Sequence, residues 1–269
     1  MEQQLCPVVI HDLWKDFSHS SLYDLIILNT PIWDGWTEKT FLDLWINARC
    51  RICVDGAFNR LLDFIIGSNG DKETFLSCEM TVIGDLDSLK LMLPDEFLNY
   101  PINIIDLSHD QDHTDFEKAL SHHKQCNKDD RKVIIYVIGG LRGRLDHTMA
   151  VLHSLLVFSY LDIWIIDEGS AGRLLLAGTK HSIRIHIPKG YESMAIGLVP
   201  IQGPVKGVQT TGLQWNLHNQ TLKMGSFISS SNRPTGQDKG KDEYYNEIIV
   251  NLMNEENNAL LWSQEFTLL

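Results

Sequence analysis

The sequence predicts an α/β N-terminal domain on a mostly parallel sheet, followed by an all-β antiparallel C-terminal domain. Three observations carry this. Ile- and Val-rich runs alternate with amphipathic stretches through the first two-thirds of the chain. After about Leu175 the helical period disappears, and short apolar runs separated by Gly and Pro take over. Ile/Val strands separated by helices belong to sheets covered on both faces, whereas short runs broken by turn formers suit antiparallel pairing.

In order, the strands expected in the first domain are Leu25–Asn29, Arg51–Asp55, Thr81–Asp85, Ile102–Leu107, Val133–Gly139 and Leu161–Ile166. The helical stretches between them are Thr37–Ala48, Ala57–Ile66, Ser88–Phe97, Asp115–Gln125 and Leu145–Tyr160. The β grammar then supplies His181–Ile187, Ser193–Val199, Val205–Thr211, Gly225–Ser231 and Glu247–Leu252. The polar, Gly/Pro-containing stretch Ser231–Asp242 reads as a loop. The expected organisation is a Rossmann-like domain over residues 1–174 and a sandwich- or barrel-like β domain over residues 175–269.

Composition narrows the function. The chain has 269 residues, 43% of them hydrophobic, enough for one large or two modest cores. Lys and Arg number 23 against 35 Asp and Glu, a net charge of −12. That balance argues against an extended nucleic-acid or anionic-membrane surface. No apolar run is long enough to span a bilayer, and no charged-then-apolar leader opens the sequence, so the expectation is a soluble, cytoplasmic protein. The odd, scattered set Cys6, Cys50, Cys53, Cys78 and Cys126 suits reduced thiols. Cys50-Arg51-Ile52-Cys53 has no second C-x-x-C to complete a metal site, and Cys53 falls within a strand, so the pair is read as structural.

Acidic residues crowd the ends of the first strands: Asp55, then Asp85 and Asp87 of Gly84-Asp85-Leu86-Asp87-Ser88, then Asp110, Asp112 and Asp115 of Asp110-Gln111-Asp112-His113-Thr114-Asp115-Phe116. In an open parallel sheet, ligands bind beyond the carboxyl ends of the strands. Asn29, Asp55, Asp85 and Gly139 should therefore converge there, although any one of them alone would be read as a turn former. One like-charged pair at ~4 Å costs about 4 kcal/mol at an effective dielectric of ~20. A divalent cation compensates several such pairs at once, and oxygen-only ligands favour Mg²⁺. Thr114 and Glu117 fit a capping box, which places Asp115 in the first turn of a helix, where negative charge is favoured.

Gly139-Gly140-Leu141-Arg142-Gly143-Arg144-Leu145-Asp146-His147 joins a strand to a helix. Its glycines allow close backbone approach, and its arginines offer forked donors for phosphate oxygens. It is neither a Walker loop nor a G-x-G-x-x-G. Beside the acidic residues it suggests a polyphosphate bound as its Mg²⁺ complex. His113 and His147 lie inside these motifs; His122, His123 and His153 lie on helical patterns as surface or core residues.

Together these blocks resemble the thiamine pyrophosphokinase family. The resemblance also rests on Asp55-Gly56-Ala57-Phe58-Asn59-Arg60-Leu61, on Thr210-Thr211-Gly212-Leu213-Gln214-Trp215-Asn216-Leu217 and on Ser229-Ser230-Ser231-Asn232. The blocks occur in family order from about Asn29 to Trp262. One departure is that Ala57-Phe58 stand where the family often has Gly-Ala.

The resemblance implies a nucleotide- and metal-binding catalytic domain, a β domain contributing to thiamine binding and the dimer interface, and a homodimer with active sites shared between subunits. It implies transfer of pyrophosphate from Mg²⁺-ATP to thiamine, giving thiamine diphosphate and AMP. By position, Asp85, Asp87, Asp115 and Arg144 would be catalytic, with Asp85, Asp87 and Asp115 holding metal. Asn29, Asp55, Gln111, Asp112, Thr114, Gly140 and Asp146 would contact nucleotide or phosphate. Trp215, Ser229, Ser231 and Asn232 would bind thiamine, whose cationic ring suits an aromatic face. Two other readings of the same residues are a metal-dependent phosphoesterase, suggested by Asp112-His113, and a non-catalytic nucleotide sensor.

Overall fold

A computed structural model describes residues 8–10, 23–32, 35–67, 72–89, 99–127, 133–178, 180–188, 194–235, 243–252 and 258–265. Two compact units divide the chain, meeting in sequence at Gly169/Ser170. The expected helix Ser88–Phe97 and most of the expected loop 231–242 lie largely outside the described residues.

A short strand, β1 (Val8–Ile10), belongs with the unit that begins at Ser170. The α/β unit then runs β2 (Tyr23–Ile27), α1 (Glu38–Asn47), β3 (Cys50–Val54), α2 (Ala57–Gly67), α3 (Lys72–Ser77), β4 (Met80–Gly84), β5 (Ile102–Asp106), α4 (Asp115–Cys126), β6 (Ile134–Ile138), α5 (Leu145–Val157) and β7 (Asp162–Asp167). Its strands lie side by side in the order β7-β6-β2-β3-β4-β5. The pairs from β7 to β5 are all parallel. Their Ile- and Val-rich sequences follow from burial on both faces, and β2 is buried along its whole length. The exception is the edge strand β5, which is half-buried to exposed.

The helices cover this sheet with their apolar stripes. On α2 the buried residues are Ala57, Phe58, Leu61 and Ile65, so the Ala57-Phe58 departure packs into the core. Phe41, Trp45 and Phe75 from α1 and α3 form an aromatic layer, with Trp45 Nε1 donating to the Phe75 carbonyl at 2.9 Å. Buried Arg51 donates to the Trp45 and Ile46 carbonyls, satisfying groups that the last turn of α1 leaves open. The thiols of Cys50 and Cys53 sit in β3, and burial pushes them up to about 11 and about 12, so both stay protonated at neutral pH.

The second unit holds β8 (Ser170–Leu176), β9 (Lys180–Pro188), β10 (Ile196–Gln202), β11 (Val205–Thr211), β12 (Gln220–Leu222), β13 (Ser229–Asn232), β14 (Glu243–Leu252) and β15 (Ala259–Glu265). One 5-stranded sheet has the order β1-β9-β14-β11-β12, and the other strands follow β13-β10-β15-β8. Among the described residues every strand pairing within this unit is antiparallel except that of β1 with β9. The expected boundary at 174/175 falls inside β8. The turn at Glu168 and Gly169, both with positive φ, already ends the α/β unit after β7. The expected run Gly225–Ser231 resolves into a tight turn at Lys223–Phe227 and then β13.

At the amino ends of the parallel strands lies a buried polar cluster. Asp24, 1% exposed, accepts from Arg49 Nε at 2.9 Å and Arg49 Nη2 at 2.6 Å, and His123 Nε2 lies 2.5 Å from its Oδ2. Burial opposes ionisation of Asp24, but the bonds from His123 and Arg49 outweigh it and hold the carboxyl below its usual range. This group ties the last turn of α4 to β2, and α4 carries Asp115 at its other end. At pH 7, Asp24→Ala should lower the unfolding free energy by about 3–5 kcal/mol, as removal of one partner of a buried pair does. A depressed folded pKa makes this contribution present above the unfolded carboxyl pKa and lost as pH falls through the folded one. Denaturant titrations at stepwise lower pH should therefore show wild-type and variant stabilities converging; a gap independent of pH would show that the effect is packing.

Candidate active site

The carboxyl ends of the α/β strands carry the residues expected there, one or two positions beyond the last strand pairing. Asp55 follows β3 with φ +49 and is 5% exposed; its amide donates to the Ile83 carbonyl at 2.8 Å, fixing it beside β4. Asn29 follows β2, and its Nδ2 donates to Asp55 Oδ2 at 3.2 Å while its Oδ1 accepts from Arg60. Asp85 follows β4. Asp115 opens α4 from a complete capping box, in which Thr114 Oγ1 accepts from the Glu117 amide and Glu117 Oε2 accepts from the Thr114 amide.

These elements bring Asp55, Asp85 and Asp115 together, with one carboxylate oxygen of each within 4.8 Å of the others. Gly84 permits the approach: a Cβ there would lie 3.1 Å from Asp55 Cβ and 3.2 Å from Asp115 Oδ1. The Asp85 amide donates to Asp115 Oδ1 at 3.0 Å, and the Ser88 amide to Asp55 Oδ1 at 3.3 Å. Desolvation first, then the Asp115, Asp87 and Asp55 charges, raise the Asp85 pKa. The one cation bonded to the group among the described residues is Lys118, whose Nζ lies 2.9 Å from Asp115 Oδ1.

Asp87 lies outside this group, which Asp55 joins instead. Between Asp85 and Asp87, Leu86 adopts φ +61 and turns the chain. Asp87 is then exposed, accepting from Ser88 Oγ at 2.9 Å while its amide donates to Asp85 Oδ1. Gln111 and Asp112 are exposed in the loop before α4; Gln111 Nε2 donates to the Ser108 carbonyl, and the Asp112 amide to Asp110 Oδ1. His113 turns its Nδ1 to Asp110 at 3.0 Å, and this bond lowers the Asp110 pKa.

The glycine loop leaves β6 at Gly139 and Gly140, with φ +94 and +95. A Cβ on Gly140 would lie 2.7 Å from Leu28 Cδ1, so the loop passes close to the end of β2. This is where the order of the sheet reverses, the place at which open α/β sheets form their ligand crevice. Asp167, at the end of β7, holds the loop: its carboxylate accepts from the Leu141 amide at 2.9 Å and from Arg142 Nε at 2.8 Å. Arg144 and Asp146 are exposed and paired with each other, through Nε to Oδ1 at 3.1 Å. A pair this exposed is screened by solvent and contributes little to stability.

In the other unit, Trp215 is 54% exposed on a firmly held turn. Buried Asn232 clamps its backbone, Nδ2 donating to the Trp215 carbonyl at 2.8 Å and Oδ1 accepting from the Trp215 amide at 3.1 Å. Asn232 thus supports Trp215, a role that its position in the sequence does not reveal. Ser229 is buried, and Ser231, with φ +59, is exposed.

Two residues at the α/β site escaped the sequence reading. Lys118 had a signal, its i,i+3 spacing from Asp115 on an expected helix. Asp167 had none, because only the strand order shows that β7 ends beside the glycine loop.

Comparison with known proteins agrees on both units. The family model described as thiamin pyrophosphokinase, catalytic domain, matches residues 41–166, and that described as thiamin pyrophosphokinase, vitamin B1 binding domain, matches residues 182–241. Thiamine pyrophosphokinase 1 of Oryza sativa subsp. japonica is 33% identical over 219 residues, 79% of this chain and 80% of that protein. Thiamine pyrophosphokinase 1 of Arabidopsis thaliana is 33% identical over 221 residues, 80% of each. The fold matches the solved thiamin pyrophosphokinase from Candida albicans with a TM-score of 0.70 at 19% identity, covering 91% of this chain and 89% of that one. The motifs, the fold and these relatives agree: the chain belongs to the thiamine pyrophosphokinase family.

Proposed function

We propose that the chain transfers the pyrophosphate group of Mg²⁺-ATP to thiamine, giving thiamine diphosphate and AMP. The observation that carries this is the convergence of Asp55, Asp85 and Asp115 at the carboxyl edge of the α/β sheet in a chain of this family. The donor set fits Mg²⁺: it offers only carboxylate oxygens, and its charge exceeds what Lys118 compensates. In this reading Asp55, Asp85 and Asp115 hold the ion, which would neutralise charge on the polyphosphate.

The residues of the chain then position and neutralise rather than form covalent bonds, as phosphoryl-type transfer requires. The glycine loop, with Gly140 close to the end of β2 and Asp167 fixing Leu141 and Arg142, presents its backbone to the phosphates. Arg144 leaves Asp146 to neutralise phosphate oxygens. Asn29 orients Asp55, Thr114 fixes the start of α4, and the exposed Asp87, Gln111 and Asp112 line the approach for nucleotide. The thiamine hydroxyl attacks the β-phosphorus, the bridging bond to the α-phosphate breaks, and AMP departs. Trp215, backed by Asn232 and flanked by Ser229 and Ser231, takes the cationic ring. The same reading makes the protein a homodimer.

Asp85→Asn and Asp115→Asn should each lower turnover about 10²-fold or more while circular dichroism stays native. Chromatography of the wild-type reaction should show AMP and thiamine diphosphate in equal amounts. Near-normal rates in the folded variants, or ADP with thiamine monophosphate, would overturn the assignment.

Trp215→Ala should raise the KM for thiamine about 2- to 30-fold, the loss of ~0.5–2 kcal/mol of cation–π attraction, while Trp215→Phe retains much of the affinity. Steady-state kinetics with each substrate varied in turn check this. An equal rise in the KM for ATP would place Trp215 outside the thiamine site.

A further inference from the structure

The carboxylate group contains a feature that metal ligation alone does not require. Lys118 lies in the stretch of α4 from Phe116 to Leu120 that is buried all round, and its side chain is 3% exposed. A buried ammonium must be paired. Its Nζ donates to Asp115 Oδ1, the oxygen that also accepts the Asp85 amide. Its positive charge also reaches Asp106 at the end of β5. An ordinary i,i+3 pair on a helix surface is solvated and contributes little. Here the ammonium is buried and its partner Asp115 only partly exposed, at the oxygen where β4 and α4 meet.

The charges match a divalent ion. Three carboxylates and one ammonium leave an excess of two negative charges, which one divalent cation closes. We propose that Lys118 is the resident counter-ion of this group: a positioning residue that holds Asp115 on the Asp85 backbone and sets the affinity of Asp55, Asp85 and Asp115 for a divalent cation. The proposal rests on the reading of these carboxylates as the ion-binding group. It has two linked consequences of opposite sign. Removing the ammonium makes the ion-free protein less stable, because the carboxylates lose their compensation. It also makes the site more negative, so a divalent ion binds more tightly. A unit charge about 6 Å from a divalent ion shifts that affinity about tenfold even at the dielectric of bulk water, so tenfold is the smallest effect expected here.

The test is direct titration of the full-length protein with Mn²⁺ alone, followed by electron paramagnetic resonance of the free ion, together with thermal melts in chelator and at saturating Mn²⁺. For Lys118→Met the expected result is a Kd lowered about tenfold or more, a depressed Tm in chelator and a Tm that Mn²⁺ restores towards wild type. Lys118→Arg, which keeps the charge, should stay near the wild-type Kd. If Lys118→Met does not fold in chelator, folding on addition of Mn²⁺ supports the proposal, because the ion then supplies the missing charge; failure to fold at saturating Mn²⁺ overturns it. An unchanged or weakened Kd in Lys118→Met also overturns it and leaves Lys118 as packing. No Mn²⁺ binding by the wild type would instead sink the reading of the carboxylates as an ion site, and this proposal with it.

Discussion

Three carboxylates from three separate elements are held with their oxygens within 4.8 Å, and much of the α/β unit can be understood as what makes that tolerable. At ~4 Å each like-charged pair costs about 4 kcal/mol for an effective dielectric of ~20. The chain offsets this locally with amide donors from Asp85 and Ser88, an Asn29 amide and the Lys118 ammonium. It confines the geometry with the Gly84 backbone, where no side chain fits without displacing Asp55 or Asp115. The parallel order β2-β3-β4-β5 aims the ends of β3 and β4 to one side, and the capping box fixes where α4 starts.

The two ends of α4 have complementary tasks. Its first turn presents Asp115 and Lys118 to the site. Its last turn is anchored through His123 to Asp24, which Arg49 also grips. A shift of α4 along its axis would disturb both charge groups, so the buried cluster at the amino ends of the strands bears on the geometry at their carboxyl ends. The glycine loop has an equivalent anchor in Asp167, and beyond it the exposed Arg144 bonds only to Asp146 among the described residues.

Much of this is legible in the sequence, and the reasons are physical. Strand-end Asp55, Asp85 and Asp115 stand out because Ile/Val runs precede two of them and a capping box marks the third. The fold class follows from the same runs, and the relatives bear out the family that the motifs resemble. What stays hidden depends on three-dimensional arrangement. Asp55 rather than Asp87 joins the carboxylate group because Leu86 adopts a left-handed conformation, which no local pattern around Gly84-Asp85-Leu86-Asp87 announces. Asp167 acquires its role only through the adjacency of β6 and β7. The strand β8 crosses the expected domain boundary because its Ser-Ala-Gly start resembles a linker more than an apolar run. β1 and β12, three residues each, are too short for periodicity to register.

The central claim is that Asp55, Asp85 and Asp115 form the divalent-ion site and Asp87 stands outside it. Anomalous diffraction from crystals of the protein grown with Mn²⁺ tests this most directly. The account predicts a manganese peak within bonding distance of carboxylate oxygens of Asp55, Asp85 and Asp115. A peak ligated by Asp87 without Asp55, or no peak at these three residues at saturating Mn²⁺, would contradict it.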